Sequence, residues 1–201
     1  MTIKAPYLPY DKLRQIADGF LAQHHPSDGI PVPIAAIVEF QFGMDIVPIP
    51  GLRESFEIDS SISNDLTTIY IDDFVFRERP ARYHFSLAHE LSHKLVHGDL
   101  FRQLSFANLA EWKVAMAAIP PSEHRFIELQ AYSLAGLILV PSGHLAAAYA
   151  KADKAAAEAG ISLRDIDAES GKPICSAIGK DFQVSGEVIR KRLHYDHLSP
   201  W

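Results

Sequence analysis

Arg82-Tyr-His-Phe-Ser-Leu-Ala-His-Glu-Leu-Ser-His-Lys-Leu-Val-His97 is the stretch from which the rest of the chain can be read. At its centre His89-Glu90-Leu91-Ser92-His93 has the form His-Glu-x-x-His. Phe85, Leu87, Ala88, Leu91, Leu95 and Val96 supply a buried helix side, and Pro80 and Gly98 stand where such a helix begins and ends. A helix turns about 100° per residue, so positions i and i+4 share a face about 6 Å apart. His89 and His93 can therefore aim imidazole nitrogens at one metal ion, with Glu90 in reach of a water in an open coordination position. Two imidazoles, a third protein ligand and a water suit zinc. The metal lowers the pKa of that water, and the glutamate takes its proton as the water attacks a carbonyl. His97 continues the stripe, but eight residues rise about 12 Å, too far for His89 and His97 to share an ion on an unbroken helix. His97 is expected as a C-terminal cap charge or as a group behind the ligands.

Upstream, the periodicity predicts a helix over 11–22 with Asp11 as its N-cap, and a short apolar helix over 34–40 stopped by Gly43. Residues 44–49, 55–59 and 67–72 read as three strands, separated by Pro50-Gly51 and by the turn-like run 60–65. Ile69 and Ile71 alternate with Tyr70 and Asp72, the mark of a strand buried on one face. The metal helix follows directly. The expected class is α+β: a small three-stranded antiparallel or mixed sheet packed on the His-Glu-x-x-His helix, with a helical C-terminal part.

Downstream, an amphipathic segment over 99–121 ends at Pro120-Pro121. Helices are predicted over 123–140 with Ser122 as N-cap, and over 145–159 with Ser142 as cap and Gly160 as stop. The first of these carries the leading candidate for the third ligand, Glu128. A lone carboxylate on a largely apolar helix needs a reason to face inward. Glu111, Glu123 and His124 remain alternatives. Residues 174–182, the turn Gln183-Val184-Ser185 and 186–193 read as helix, tight turn, helix, locally basic through Lys180, Arg190, Lys191 and Arg192. This pair could touch DNA or a DNA-binding partner. An overall charge of −6 argues against phosphate binding, so direct nucleic-acid binding is not expected.

The chain has 201 residues, 48% hydrophobic and 22% charged, enough for one sizeable core. The division expected is a catalytic body over 1–170 and the helical pair over 171–201 packed on it. One cysteine, Cys175, excludes an internal disulfide and a cysteine-based zinc site, and fits a reducing, cytoplasmic setting. The first residues lack an apolar stretch of signal-peptide length, and no run of about 18 apolar residues could span a bilayer, so no membrane partner is expected.

Two motifs in order resemble the ImmA/IrrE family of zinc metallo-endopeptidases. That family shows Arg-x-Arg-Phe-Thr-Leu-Ala-His-Glu-Leu-Gly-His-Leu-Leu-Leu-His, then Glu-x-x-Ala-Asn-x-Phe-Ala followed by Leu-Leu-Met-Pro. Here the counterparts are 82–97 and Glu128-Leu-Gln-Ala-Tyr-Ser-Leu-Ala-Gly-Leu-Ile-Leu-Val-Pro141. The match extends to Pro31–Ile37 and to the tail Val184–Leu193, about 30 to 195 in all. Ser92 stands for the usual Gly, His84 for an Arg, Tyr132 for an Asn and Leu134 for a Phe. The resemblance implies a zincin-like fold, and zinc, or manganese in its place, held by His89, His93 and Glu128 with Glu90 as general base. Tyr132, one turn beyond Glu128, is a candidate oxyanion stabiliser or group behind the ligands, as is His97, with core packing the alternative for Tyr132. It implies a protein substrate, a helix-turn-helix transcriptional repressor or antitoxin. The alternative is a non-enzymatic zinc-binding regulator acting through the C-terminal pair.

Overall fold

The computed structural model describes residues 4–104 and 106–199. It is mostly helical with one small sheet. Helix α1 (Tyr10–His24) is followed by α2 (Ile34–Ala36), which runs on as a π-helical turn over Ile37–Gln41, and by strand β1 (Asp45–Ile49). Then come α3 (Leu52–Phe56), β2 (Ser60–Ile62), β3 (Thr68–Asp72), α4 (Asp73–Glu78) and the long α5 (Pro80–Gln103). The remainder is α6 (Leu109–Ala117), α7 (Pro121–Leu139), α8 (Ser142–Glu158), α9 (Ala168–Phe182) and α10 (Gly186–Tyr195).

The sheet order is β1-β3-β2, with β1 parallel and β2 antiparallel to β3, so the sheet is mixed. Two of the three expected strands form. The third does not: Ser55 and Phe56 close the short α3, which ends with Glu57 left-handed at φ 62°. The strand lies instead at Ser60–Ile62, inside the run that reads as a turn. Its Ser61 and Ile62 are buried, and the hairpin is closed by Ser63 and Asp65 side chains that accept from Thr67 and Thr68 backbone N–H groups. Polar residues that mark a turn thus also serve a buried edge strand when their side chains bond locally.

Asp72 ends β3 and caps α4, its Oδ1 accepting from Phe74 N and Val75 N while Oδ2 accepts from Arg53 N. Helix α5 starts at Pro80 as expected but does not stop at Gly98; it continues to Gln103, because Leu100 and Phe101 remain buried. Gly98 is small for another reason. A Cβ there would stand 3.2 Å from Leu66 Cδ1, so the glycine lets the β2–β3 hairpin close against the helix. Helices α1, α7 and α8 begin after prolines, with no side-chain cap from Asp11, Ser122 or Ser142. Ser142 Oγ instead accepts from Arg14 and Arg192.

The site is positioned by α5 and α7, which pack along each other while α1 covers the far side of α7 and β2 and β3 flank α5. Leu87, Ala88, Leu91, Ile127, Ala131, Leu134 and Ala135 are buried between and around them. Helix α9 begins at Ala168, earlier than the sequence suggests, because Asp167 accepts from Ser170 N. Ser185 caps α10 as expected. The pair crosses tightly: a Cβ on Gly179 would lie 2.7 Å from Val184 O. Little of the basic charge of α10 is free. Arg192 is buried and donates to Gly136 O, Val140 O, Tyr10 Oη and Asp196, while Arg190 pairs with Glu187 and Lys191 Nζ sits 4.1 Å from the centre of the Tyr132 ring. Among the described residues no single helix is long and apolar enough to cross a membrane.

Candidate metal centre

His89 and His93 lie one turn apart on α5, with Glu128 opposite them on α7. His89 Nε2 is 3.1 Å from His93 Nε2 and 3.1 Å from Glu128 Oε2, and His93 Nε2 is 3.6 Å from Glu128 Oε1. These three side chains form the only cluster of metal-ligating groups found among the described residues. Tetrahedral ligands about 2.1 Å from a zinc ion stand about 3.4 Å from one another, close to the separations found here, so the donor set fits such an ion. Two facing imidazole nitrogens and a carboxylate also bring together more lone pairs than protons, which is costly unless a cation, metal or proton, is shared among them.

The protonation states follow that arrangement. Burial disfavours charge on His89, but Glu128 and Glu90 outweigh it and raise its pKa above the ordinary value. Burial likewise pushes Glu128 up, but the hydrogen bond from His89 and the imidazoles around it bring it down to about 2. His93 is held well below 6.5, first by burial and then by His89, and so presents a neutral ring.

Glu90 stands beside this set and outside it. Glu90 is 4% exposed, and its carboxyl accepts from Ser60 Oγ at 2.7 Å and from the Ile62 backbone. Burial raises its pKa to about 7, against the lowering pull of His89 and Ser60. A carboxyl that exchanges a proton near neutrality, next in sequence to one of two convergent imidazoles, can act as both base and acid.

The other predicted residues fall into place unevenly. His97 is mid-helix, so it caps nothing; its Nδ1 is 3.2 Å from His93 Nδ1 and its Nε2 is 3.1 Å from Gln130 Oε1. Tyr132 packs its ring 4.7 Å from that of Phe85, whose ring centre is in turn 6.4 Å from that of His89, and its phenol feels the charges of Glu187 and Arg190 on α10. It lines a cavity of about 620 Å³ with Arg82, Phe85, Ser86 and Val188. Of the alternative ligands, Glu111 accepts from Ala107 N and Asn108 at the start of α6, and Glu123 accepts from Ala5 N. His124 Nε2 is 3.9 Å from Glu128 Oε1, beside the ligand rather than in its place. Ser60, Ile62 and Gln130 went unforeseen. Gln130, a buried amide two residues from Glu128 on an apolar helix, carried the one usable signal.

A solved structure of a Mycobacterium tuberculosis transcriptional regulator is similar over 91% of this chain, with a TM-score of 0.50 and 18% identity. The chain spans about half of that structure's length, 46% of it, and the likeness is one of fold. No curated protein matches the sequence. A family match covers residues 74–194, which include α5 and α7 and every donor atom of the metal cluster, and with more than half of its length so matched the chain belongs to the Peptidase_M78 family, the IrrE N-terminal-like domain.

Proposed function

We propose that this protein is a zinc-dependent metallo-endopeptidase with a zincin-like centre. The observation that carries the reading is Glu90: a buried carboxyl, held by Ser60 and Ile62, next to three convergent donors and not one of them. A structural zinc site needs no such neighbour and is closed by four protein ligands. Two imidazoles and one carboxylate suit zinc, with manganese as an alternative occupant. When bound, such an ion would supply Lewis acidity to the scissile carbonyl and to an attacking water. His89, His93 and Glu128 hold it. Glu90 takes the proton of the attacking water and returns it to the leaving amine, two transfers within reach of one carboxyl. Ser60 fixes the orientation of that carboxyl.

The substrate is a protein, and we place it as an exposed loop of a helix-turn-helix transcriptional repressor or antitoxin. Strand β2 supports an extended substrate: it pairs with β3 on one side only among the described residues, and its Ser60 and Ile62 are the groups that hold Glu90. The body and the C-terminal helical pair are read as one working unit, since Arg192 of α10 is bonded into the end of α7. The alternative, a regulator acting through α9 and α10 on DNA or a repressor, finds less support, because the cations of α10 are engaged within the chain. The test is incubation with a candidate helix-turn-helix repressor, taken from the neighbouring genes where one is encoded there, with zinc or manganese, and mass spectrometry of the products. Defined fragments are expected from the wild type. Glu90→Gln should keep its metal and lose roughly 10²–10⁴-fold in rate. Equal fragments at equal rates from both would remove the mechanism.

A further inference from the structure

We propose that His97 and Gln130 are positioning residues that fix which ring nitrogen of His93 carries its proton, leaving the Nε2 lone pair free to bind a metal. The inference rests on the reading of His89, His93 and Glu128 as a metal centre. It starts at the far end of a chain of hydrogen bonds. Gln130 Nε2 donates to the Pro6 carbonyl at 2.8 Å. That carbonyl can only accept, so the amide is oriented with Oε1 toward His97, 3.1 Å from its Nε2. An amide oxygen also only accepts, so the His97 proton sits on Nε2 and its Nδ1 carries a lone pair. That Nδ1 is 3.2 Å from Nδ1 of His93, and one of the two must donate. His93 is therefore the donor, protonated at Nδ1 and bare at Nε2, the atom that faces His89 and Glu128.

The opposite assignment fails at both ends. Were His93 protonated at Nε2, the proton would occupy the metal position, and His97 would turn a lone pair on the Gln130 oxygen. His97 and Gln130 are 1% and 2% exposed, so water cannot cheaply repair the mismatch between them. The outer end of the chain is itself fixed. Ala5 N donates to Glu123 Oε2 at 2.9 Å, and the Tyr7 ring stacks on Phe126 at 5.9 Å, so the segment before α1 is held on α7 on both sides of Pro6. The helix that supplies the carboxylate ligand thus also carries Gln130, which sets the state of one imidazole ligand. Ligand histidines in metalloproteins generally donate their second nitrogen to an outer acceptor. Here the acceptor is another histidine, whose own state is set by an amide.

Nitrogen-15 NMR of the metal-free, full-length protein reads the tautomer directly. His93 should show a protonated Nδ1 and an unprotonated Nε2, and His97 the reverse. Zinc affinity, measured by competition with a chelating dye, provides the second readout. His97→Phe and Gln130→Met keep the bulk and remove the acceptor; each should weaken zinc binding about 10–100-fold. His97→Gln restores an acceptor to His93 Nδ1 and should bind closer to wild type than His97→Phe does. In Gln130→Met the His93 signals should shift toward mixed tautomers, which lost packing alone would not produce. Protonation of wild-type His93 at Nε2 overturns the proposal, and that spectrum needs no variant to fold. Wild-type affinity and an unchanged His93 tautomer in Gln130→Met overturn it as well. If the wild type binds no zinc, the metal centre itself is wrong and this inference falls with it.

Discussion

Two polar clusters, one buried and one partly open, sit among these helices, and they follow opposite plans. Around Arg192 every charge is answered. Its guanidinium donates to the carbonyls of Gly136 and Val140 at the end of α7, to Tyr10 and to Asp196, and Asp196 also accepts from Arg14 and Tyr10. Around His89 the lone pairs of two imidazoles and a carboxylate converge within 3.1–3.6 Å. The first cluster is complete as it stands and ties α10 and α1 to α7. The second is complete only with a shared cation. Buried polar networks that satisfy themselves hold a fold together, whereas convergent donors mark a place for a ligand.

Variants can separate the two. Glu128→Ala should lower zinc affinity by well over the roughly 100-fold that losing a group behind a ligand can cost. Chelator competition measures it, and unchanged affinity would remove Glu128 from the ligand set. Arg192→Met should do the reverse, costing about 3 kcal/mol of stability by leaving Asp196 buried with less compensation. Zinc affinity of the folded fraction should stay as in wild type. A loss of affinity without a loss of stability would mean that the clusters are coupled.

The pH dependence of stability should also separate them, with opposite signs. For Asp196, burial raises the pKa, but the hydrogen bond from Arg14 and the charge of Arg192 more than offset it, so the folded value lies below the ordinary aspartate value. Its contribution is present above that ordinary value and lost as pH falls through the lowered one. For Glu90 the folded value is raised from 4.5 to about 7, so the metal-free folded state binds a proton that the unfolded state has released. Stability therefore falls as pH rises through that window. Urea unfolding of the metal-free protein across the acid-to-neutral range measures both, and Glu90→Gln should lessen the neutral-side decline, to which the raised His89 also contributes, while leaving the acid-side loss in place. The smallest effect concerns the α9–α10 turn. Gly179→Ala places a Cβ 2.7 Å from Val184 O, and the clash less the gain in helix propensity should cost about 1 kcal/mol in thermal unfolding with zinc binding untouched.

The same contrast explains what could be read in the sequence. His89, Glu90 and His93 were legible because one helix fixes their spacing, and Glu128 because a second motif follows in order. The long helices were legible from their apolar spacing, though not their ends: α5 runs past Gly98, which serves a contact with Leu66 rather than a helix stop. Strand β2 was hidden because it is three residues long and made of serines and an isoleucine. The groups it gives to Glu90 were hidden with it. The relay through His97 and Gln130 depends on a carbonyl at Pro6, more than a hundred residues away in the chain, and no local pattern announces a contact that distant. The basic tail misled in the other direction: charge on a helix suggests exposure, yet Arg192 is among the most buried polar groups described.

The most direct test of the account is an anomalous difference map, collected at the zinc absorption edge, from crystals of the protein grown with zinc. One dominant peak is predicted, about 2.0–2.2 Å from Nε2 of His89, Nε2 of His93 and the carboxylate of Glu128, with Glu90 outside bonding distance. A peak that includes Glu90 as a ligand, or a site formed by other residues with these three unbound, would contradict it.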